Sequence, residues 1–318
     1  MPVPDDDVLR IHHCRGGGPR LGARRPVARC GRELAGATAH ARAAADGLSR
    51  ARRARPPRGP SGHGRAWTQR QTRPVTTAPE PSAFYTGLVA RLYAPLRSAD
   101  PDPAPYTAFV RHAGGPALEL GCGDGDPLLA LRAEGLDVEG LDSSADMLDR
   151  CRVRADAAGL DVVLHHASME AMDLGRTYRA IYLAGPTFNL LPDDERVAAA
   201  LARIHAHLEP GGSALVPLFV PEDDPNLGRT RVSGTMRVTP IAAERDDEAR
   251  VMTTVLRYED GGEVLERPWV LHWHTQDGFR ALAEAAGLVV QDVLDPDGRP
   301  AAPDADAVAF VLRRPAPD

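Results

Sequence analysis

The run ELGCGDG sets a carboxylate, Glu119, two residues ahead of three alternating glycines, Gly121, Gly123 and Gly125. Such a loop turns tightly and lets the backbone approach a ligand where a Cβ would collide. It follows a short apolar stretch at 117–120, the position at which open α/β sheets bind ligands beyond their strand ends. An acid, Asp142, closes the next apolar stretch, at the distance where a carboxylate accepts both hydroxyls of a ribose. A nicotinamide fingerprint, G-x-G-x-x-G, fails in both registers: its last position falls on Asp126 or on Leu128. Glu119 has no place in pyrophosphate binding and suits a cationic ligand.

Composition removes whole classes of chemistry. The chain has 318 residues, and all 38 of its basic residues are arginine. Without lysine there is no Walker-type phosphate loop, no Schiff base and no pyridoxal chemistry. Residues 1–74 hold 16 Arg against 5 acids, whereas the remainder holds 22 Arg against 39 acids. The acidic body argues against nucleic acid or an anionic membrane as partner. There is no run of 18 apolar residues and no apolar leader. Cys14, Cys30, Cys122 and Cys151 form no C-x-x-C pair, so neither a disulfide framework nor a cysteine zinc site is expected, and a cytoplasmic location is the default. No metal-ligating cluster emerges from the spacing of His, Cys and acids.

The elements that must position these residues follow from periodicity. Residues 1–74, rich in Arg, Gly and Pro, read as a disordered or non-native extension, with a basic arm or a transit peptide as the other readings. The folded unit is expected over 75–318. An amphipathic helix is expected at 82–95 and another at 103–113, together forming cap helices at 82–113. A core at 117–220 alternates strands at 117–120, 137–141, 161–165, 179–183 and 213–220 with helices at 126–134, 144–158 and 193–208. The last of these helices stops at Pro210, Gly211 and Gly212. Residues 221–275 alternate in strand fashion over 229–238, 249–258 and 263–274, with a hairpin turn at Asp260, Gly261 and Gly262. A helix at 276–286 and strands at 288–293 and 307–312 close the chain within 276–313. The pattern predicts an α/β doubly wound, mostly parallel sheet with an antiparallel insertion after the fifth strand.

Three ordered motifs, ELGCGDG, GLDSSADML and LxPGG, make the chain resemble the class I S-adenosylmethionine-dependent methyltransferases, strongly over 117–220 and plausibly over 82–313. The resemblance implies a Rossmann-like, seven-stranded sheet with one antiparallel strand, and S-adenosyl-L-methionine as cofactor. It also implies roles at matching positions. Glu119 would lie near the methionine amino group, and Gly121 and Gly123 would line the loop beneath the methionine and ribose. Asp142 would hold the ribose hydroxyls with Ser143 beside it, and Met147 would cover one adenine face. Ser168 and Met169 would flank the adenine, Ser168 standing where many relatives carry Asp. Ala184 would pack under the cofactor, and Tyr85 would close over it.

The sulfonium is already an activated electrophile, so a general base is optional and none is identified. Weak catalytic candidates are Asn189, in the loop after the fourth strand, and His272 and His274, which share a face late in the insertion. That loop is not the N/D-P-P-Y/F motif of enzymes that methylate base or amide nitrogens. The expected function is methyl transfer to a small-molecule acceptor, with residues 221–275 as substrate lid or homodimer interface. Trp269 and Trp273 point to an apolar or aromatic acceptor. A non-catalytic cofactor-binding or scaffold protein of the same fold is the alternative.

Overall fold

The computed structural model describes residues 81–97 and 102–317, so the expectation for residues 1–74 lies outside the described residues. Two short helices, α1 (Pro81–Phe84) and α2 (Leu88–Leu96), are followed by α3 (Ala104–Ala113). The single helix expected at 82–95 is broken at Gly87, whose N–H is taken by the Asp146 carboxylate at 2.6 Å. A tertiary hydrogen bond there replaces helical continuity.

The core alternates β1 (Ala117–Leu120), α4 (Leu128–Ala133), β2 (Val138–Asp142), α5 (Ala145–Ala158), β3 (Leu164–His166), β4 (Tyr178–Tyr182), α6 (Asp194–His207) and β5 (Leu208–Phe219). Residues between β4 and α6 form one turn of 3₁₀ helix at Thr187–Leu190. The helix starts carry the capping chemistry their sequences contain. Ser144 Oγ accepts from the Met147 N–H, and Asp193 accepts from the Arg196 N–H, each satisfying an orphan donor of a first turn. Helix α6 ends at His207, three residues ahead of the Pro-Gly-Gly stop, and that triplet instead bulges within β5.

The insertion comprises β6 (Arg231–Ser233), β7 (Met236–Asp246), β8 (Val251–Asp260) and β9 (Glu263–His272). Helix α7 (Gln276–Ala285), β10 (Val289–Leu294) and β11 (Ala307–Arg313) complete the chain. The seven-stranded sheet runs β10-β11-β5-β4-β1-β2-β3. It is parallel from β3 to β5, and β11 runs antiparallel to both β5 and β10. Helices bury both faces, as a parallel sheet requires. This is the Rossmann-like sheet that the sequence pattern implies.

The insertion forms its own antiparallel sheet of four strands, ordered β6-β7-β8-β9. Three segments were expected there; the first divides into a tight β6–β7 hairpin, and β7 continues to Asp246. The turn between Asp260 and Glu263 is as expected. Phe84, Leu88, Val89, Leu92 and Leu96 pack on Val238, Leu256 and Tyr258 in one apolar cluster. The Arg267 guanidinium on β9 donates to the carbonyls of Ala83 and Phe84. Helices α1 and α2 and the small sheet therefore make one cap over the carboxyl ends of the parallel strands. Among the described residues no helix is long and apolar enough to cross a membrane.

Candidate functional site

The glycine loop leaves β1 and crosses to the end of β2, where the Gly121 and Cys122 N–H groups donate to the Leu141 carbonyl at 2.7 and 3.0 Å. Gly121 and Gly123 hold φ of 68° and 55°. A Cβ on Gly121 would stand 2.8 Å from Thr187 Cγ2, and one on Gly123 would stand 3.3 Å from Met147 Cε. Both positions thus favour glycine for conformation, and Gly121 for space as well.

Asp142 locks this loop to the next helix. One of its carboxylate oxygens accepts from the Gly123 N–H and the other from the Ser144 N–H, each at 2.8 Å. Burial pushes its pKa up, and these hydrogen bonds oppose the shift. Each oxygen retains a further lone pair for a ligand hydroxyl. Two residues on, Ser144 Oγ donates to the Tyr85 carbonyl at 2.5 Å, so the segment that shapes the loop also fixes the cap.

Between cap and core lies a cavity of about 240 Å³. Tyr85 and Tyr93 form its roof, their rings edge-to-face with centroids 5.5 Å apart. Gly121, Gly123, Asp142, Ser143, Met147, Ser168 and Met169 form its floor and sides. Eight of the ten residues expected at the cofactor site therefore share one cavity. Tyr93, Leu141, Ala167, Glu170, Leu190, Leu191 and Arg196 also stand in the wall and were not singled out in the sequence, whereas Thr187 comes from the loop after β4 that carries Asn189. Tyr93 lies eight residues from Tyr85, a helical spacing, and Leu141, Ala167 and Glu170 adjoin Asp142, Ser168 and Met169 in the chain. Leu190, Leu191 and Arg196 reach the cavity through tertiary folding alone. Arg196 donates to Glu170 at 3.0 Å, giving the wall one charged pair.

Two expected residues stand outside this wall. Ala184 is half-buried and packs with the core, its carbonyl accepting from the Tyr106 hydroxyl at 2.9 Å. Glu119 is fully buried on the other face of β1, where Oε2 accepts from the Tyr182 hydroxyl at 2.7 Å. Its Oε1 has no partner, and among the described residues no ion pair reaches it. Burial drives its pKa well above the ordinary carboxylate range, and the charges of Asp126, Asp142 and Asp124 add to the shift. By contrast, Asp124 and Asp126 are answered by Arg97 and Arg154, which tie α2, the loop and α5 together.

The catalytic candidates are placed elsewhere. Asn189 is fully buried and bonded at both ends of its amide. Its Nδ2 donates to the carbonyls of Phe219 and His272 at 2.9 Å, and its Oδ1 accepts from the Phe219 N–H at 3.2 Å. It braces the 3₁₀ turn, β5 and β9 and is not among the residues of the cavity wall. His272 and His274 do share a face, but they are buried away from the cavity wall. Burial pushes His274 down to about 4 and lowers His272, where Arg250 adds to the shift and a Leu191 main-chain group opposes it. Trp269 and Trp273 are also absent from the wall: Trp273 is buried beneath the Arg245 guanidinium, and Trp269 joins the apolar clusters of the cap.

The cavity wall suits a ligand with a ribose diol and a flat base. Asp142 offers the diol acceptor, and Met147 and Met169 the apolar surface. Comparison with known proteins agrees. Residues 117–212 match the Methyltransferase domain family. A dTDP-3-amino-3,6-dideoxy-alpha-D-glucopyranose N,N-dimethyltransferase from Streptomyces fradiae is 34% identical over 227 residues, 66% of this chain and 88% of that protein. The chain belongs to the class I S-adenosylmethionine-dependent methyltransferases. A second relative of this methyltransferase family is dTDP-3-amino-3,4,6-trideoxy-alpha-D-glucopyranose N,N-dimethyltransferase from Streptomyces venezuelae. It is 36% identical over 106 residues, 33% of this chain and 43% of that protein. The structure of SAM-bound CalS10, an amino pentose methyltransferase from Micromonospora echinaspora, shares the fold. Its TM-score is 0.53 at 23% identity, covering 72% of this chain and 98% of that one. As a methyltransferase of this family, the chain uses S-adenosyl-L-methionine and methylates a small molecule.

Proposed function

We propose that this methyltransferase N-methylates the amino group of a nucleotide-activated deoxyamino sugar. The observation that carries this reading is the 34% identity to an amino-sugar N,N-dimethyltransferase, which extends over 88% of that protein's length. The cap supports it: Tyr85 and Tyr93 roof a cavity of small-molecule size, and the insertion backs the helices that carry them.

The cofactor supplies a methyl group already activated on a sulfonium. What remains for the chain is to bind, align and exclude water. In this reading Asp142 holds the ribose hydroxyls, and Met147, Ser168 and Met169 hold the adenine. Tyr85 and Tyr93, seated by Ser144 and by Arg97 respectively, cover the site. Thr187, Leu190 and Leu191 follow β4 and form the wall nearest the acceptor. An amine that reaches the site uncharged carries its own nucleophilic lone pair, and its proton leaves to solvent after transfer. This is consistent with a cavity wall that, among the described residues, contains no histidine.

The test is an incubation of the chain with S-adenosylmethionine and a dTDP-3-amino-deoxyglucose, followed by mass spectrometry. Mass increases of one and then two methyl groups are expected, with none on the 3-hydroxy counterpart. Equal methylation of both sugars, or methylation of neither, would refute the amine reading.

A further inference from the structure

A second constellation lies outside the cavity. Asp194 opens α6, His272 ends β9, and His274 lies in the link to α7. One ligand-capable atom from each lies within 4.8 Å of the others. We propose that Asp194, His272 and His274 form a binding site for one divalent zinc-type ion.

The geometry is that of ligands rather than of hydrogen-bond partners. His272 Nε2 and His274 Nδ1 lie 3.6 and 3.5 Å from the same oxygen, Asp194 Oδ1. Those separations are too long for a good hydrogen bond. They match the separation, about 3.4 Å, of two atoms each bonded at about 2.0–2.1 Å to one tetrahedral zinc ion. The imidazoles are also under-satisfied. His272 Nδ1 and both nitrogens of His274 have no hydrogen-bond partner, and the His274 side chain is 0% exposed. A buried polar atom left unpaired is costly, and an ion held by His272 Nε2 and His274 Nδ1 would engage the unpaired His274 Nδ1.

The neighbours fit a metal site as well. Arg250 holds the other oxygen of Asp194 at 2.6 Å, which aims Oδ1 at the two rings. Its positive charge tempers affinity, and the Asp194 carboxylate offsets it. Asp194 is 49% exposed, which gives an ion a way in and leaves a fourth position for water. Two imidazoles and one carboxylate suit zinc, cobalt or nickel, and not calcium or magnesium.

Such an ion would act on the fold rather than on the methyl transfer. It would pin the start of α6 to the end of β9. Leu190 and Leu191, just ahead of α6, line the cavity, so the pin would stiffen that wall.

The full chain, stripped with a chelator and dialysed, would be titrated with Zn²⁺ by calorimetry and with Co²⁺ by visible absorption. One ion per chain is expected, with tetrahedral Co²⁺ bands and a melting temperature that rises with Zn²⁺. His274→Ala and Asp194→Asn should each lower the affinity by about tenfold or more and abolish the Co²⁺ bands. Asp194 is a half-exposed position, so its asparagine variant keeps the test decisive should His274→Ala not fold. A parent chain that binds no ion, or both variants binding with the parental stoichiometry and spectrum, would overturn the proposal.

Discussion

At the residue scale, the two carboxyls that frame the glycine loop are held differently. Asp142 is anchored by two N–H donors, whereas Glu119 is buried with one oxygen unpartnered. The raised pKa of Glu119 has a sign that can be checked. Above the ordinary glutamate range and below the folded value, the folded chain holds a proton that the unfolded chain has released. Stability without ligand should therefore fall as pH rises through that window. In Glu119→Gln, urea midpoints between about pH 5 and pH 8 should lose this fall, because glutamine keeps a Tyr182 partner without the ionisation. An unaltered pH dependence would assign the effect to other groups. That Gly121, Gly123, Asp142 and Met147 gather at one cavity was legible because motif and spacing report directly on backbone shape, whereas Glu119 of the same motif stands outside the wall. Leu190, Leu191 and Arg196 were not legible, because nothing local marks a residue that reaches a cavity across the fold.

At the element scale, the strands and helices of the core were legible from apolar periodicity and from caps such as Ser144 and Asp193. Departures arise where tertiary hydrogen bonds outweigh local preference. The cap helix breaks where Asp146 captures the Gly87 N–H. Asn189 illustrates the same limit for function. An amide in the loop after the fourth strand could serve a substrate or the main chain, and its three main-chain bonds settle it as a brace. Asn189→Ala would strand two carbonyls and one N–H in the interior. A loss of about 2–4 kcal/mol in folding stability is expected, read by denaturant melts. A variant of unchanged stability but reduced kcat would return Asn189 to the acceptor.

At the scale of the whole molecule, the order β10-β11-β5-β4-β1-β2-β3 puts the carboxyl ends of β1, β2 and β4 together, and the cap is seated above them. The existence of an antiparallel insertion was legible, but its union with α1 and α2 was not, since no sequence pattern reports which apolar face covers which. Arg267 and the Phe84–Leu96 face make that union, and Ser144 and Arg97 dock it to the glycine loop. The result is a cavity with Asp142 at its base, which we propose holds the cofactor. The most direct test is calorimetric titration of S-adenosylmethionine into the parent chain and into Asp142→Ala, with thermal melts confirming that both are folded. One site on the parent is expected, weakened in the variant by about tenfold or more, in keeping with the loss of charge-assisted hydrogen bonds. No binding to the folded parent, or equal affinity in the variant, would contradict a cofactor site built on this loop.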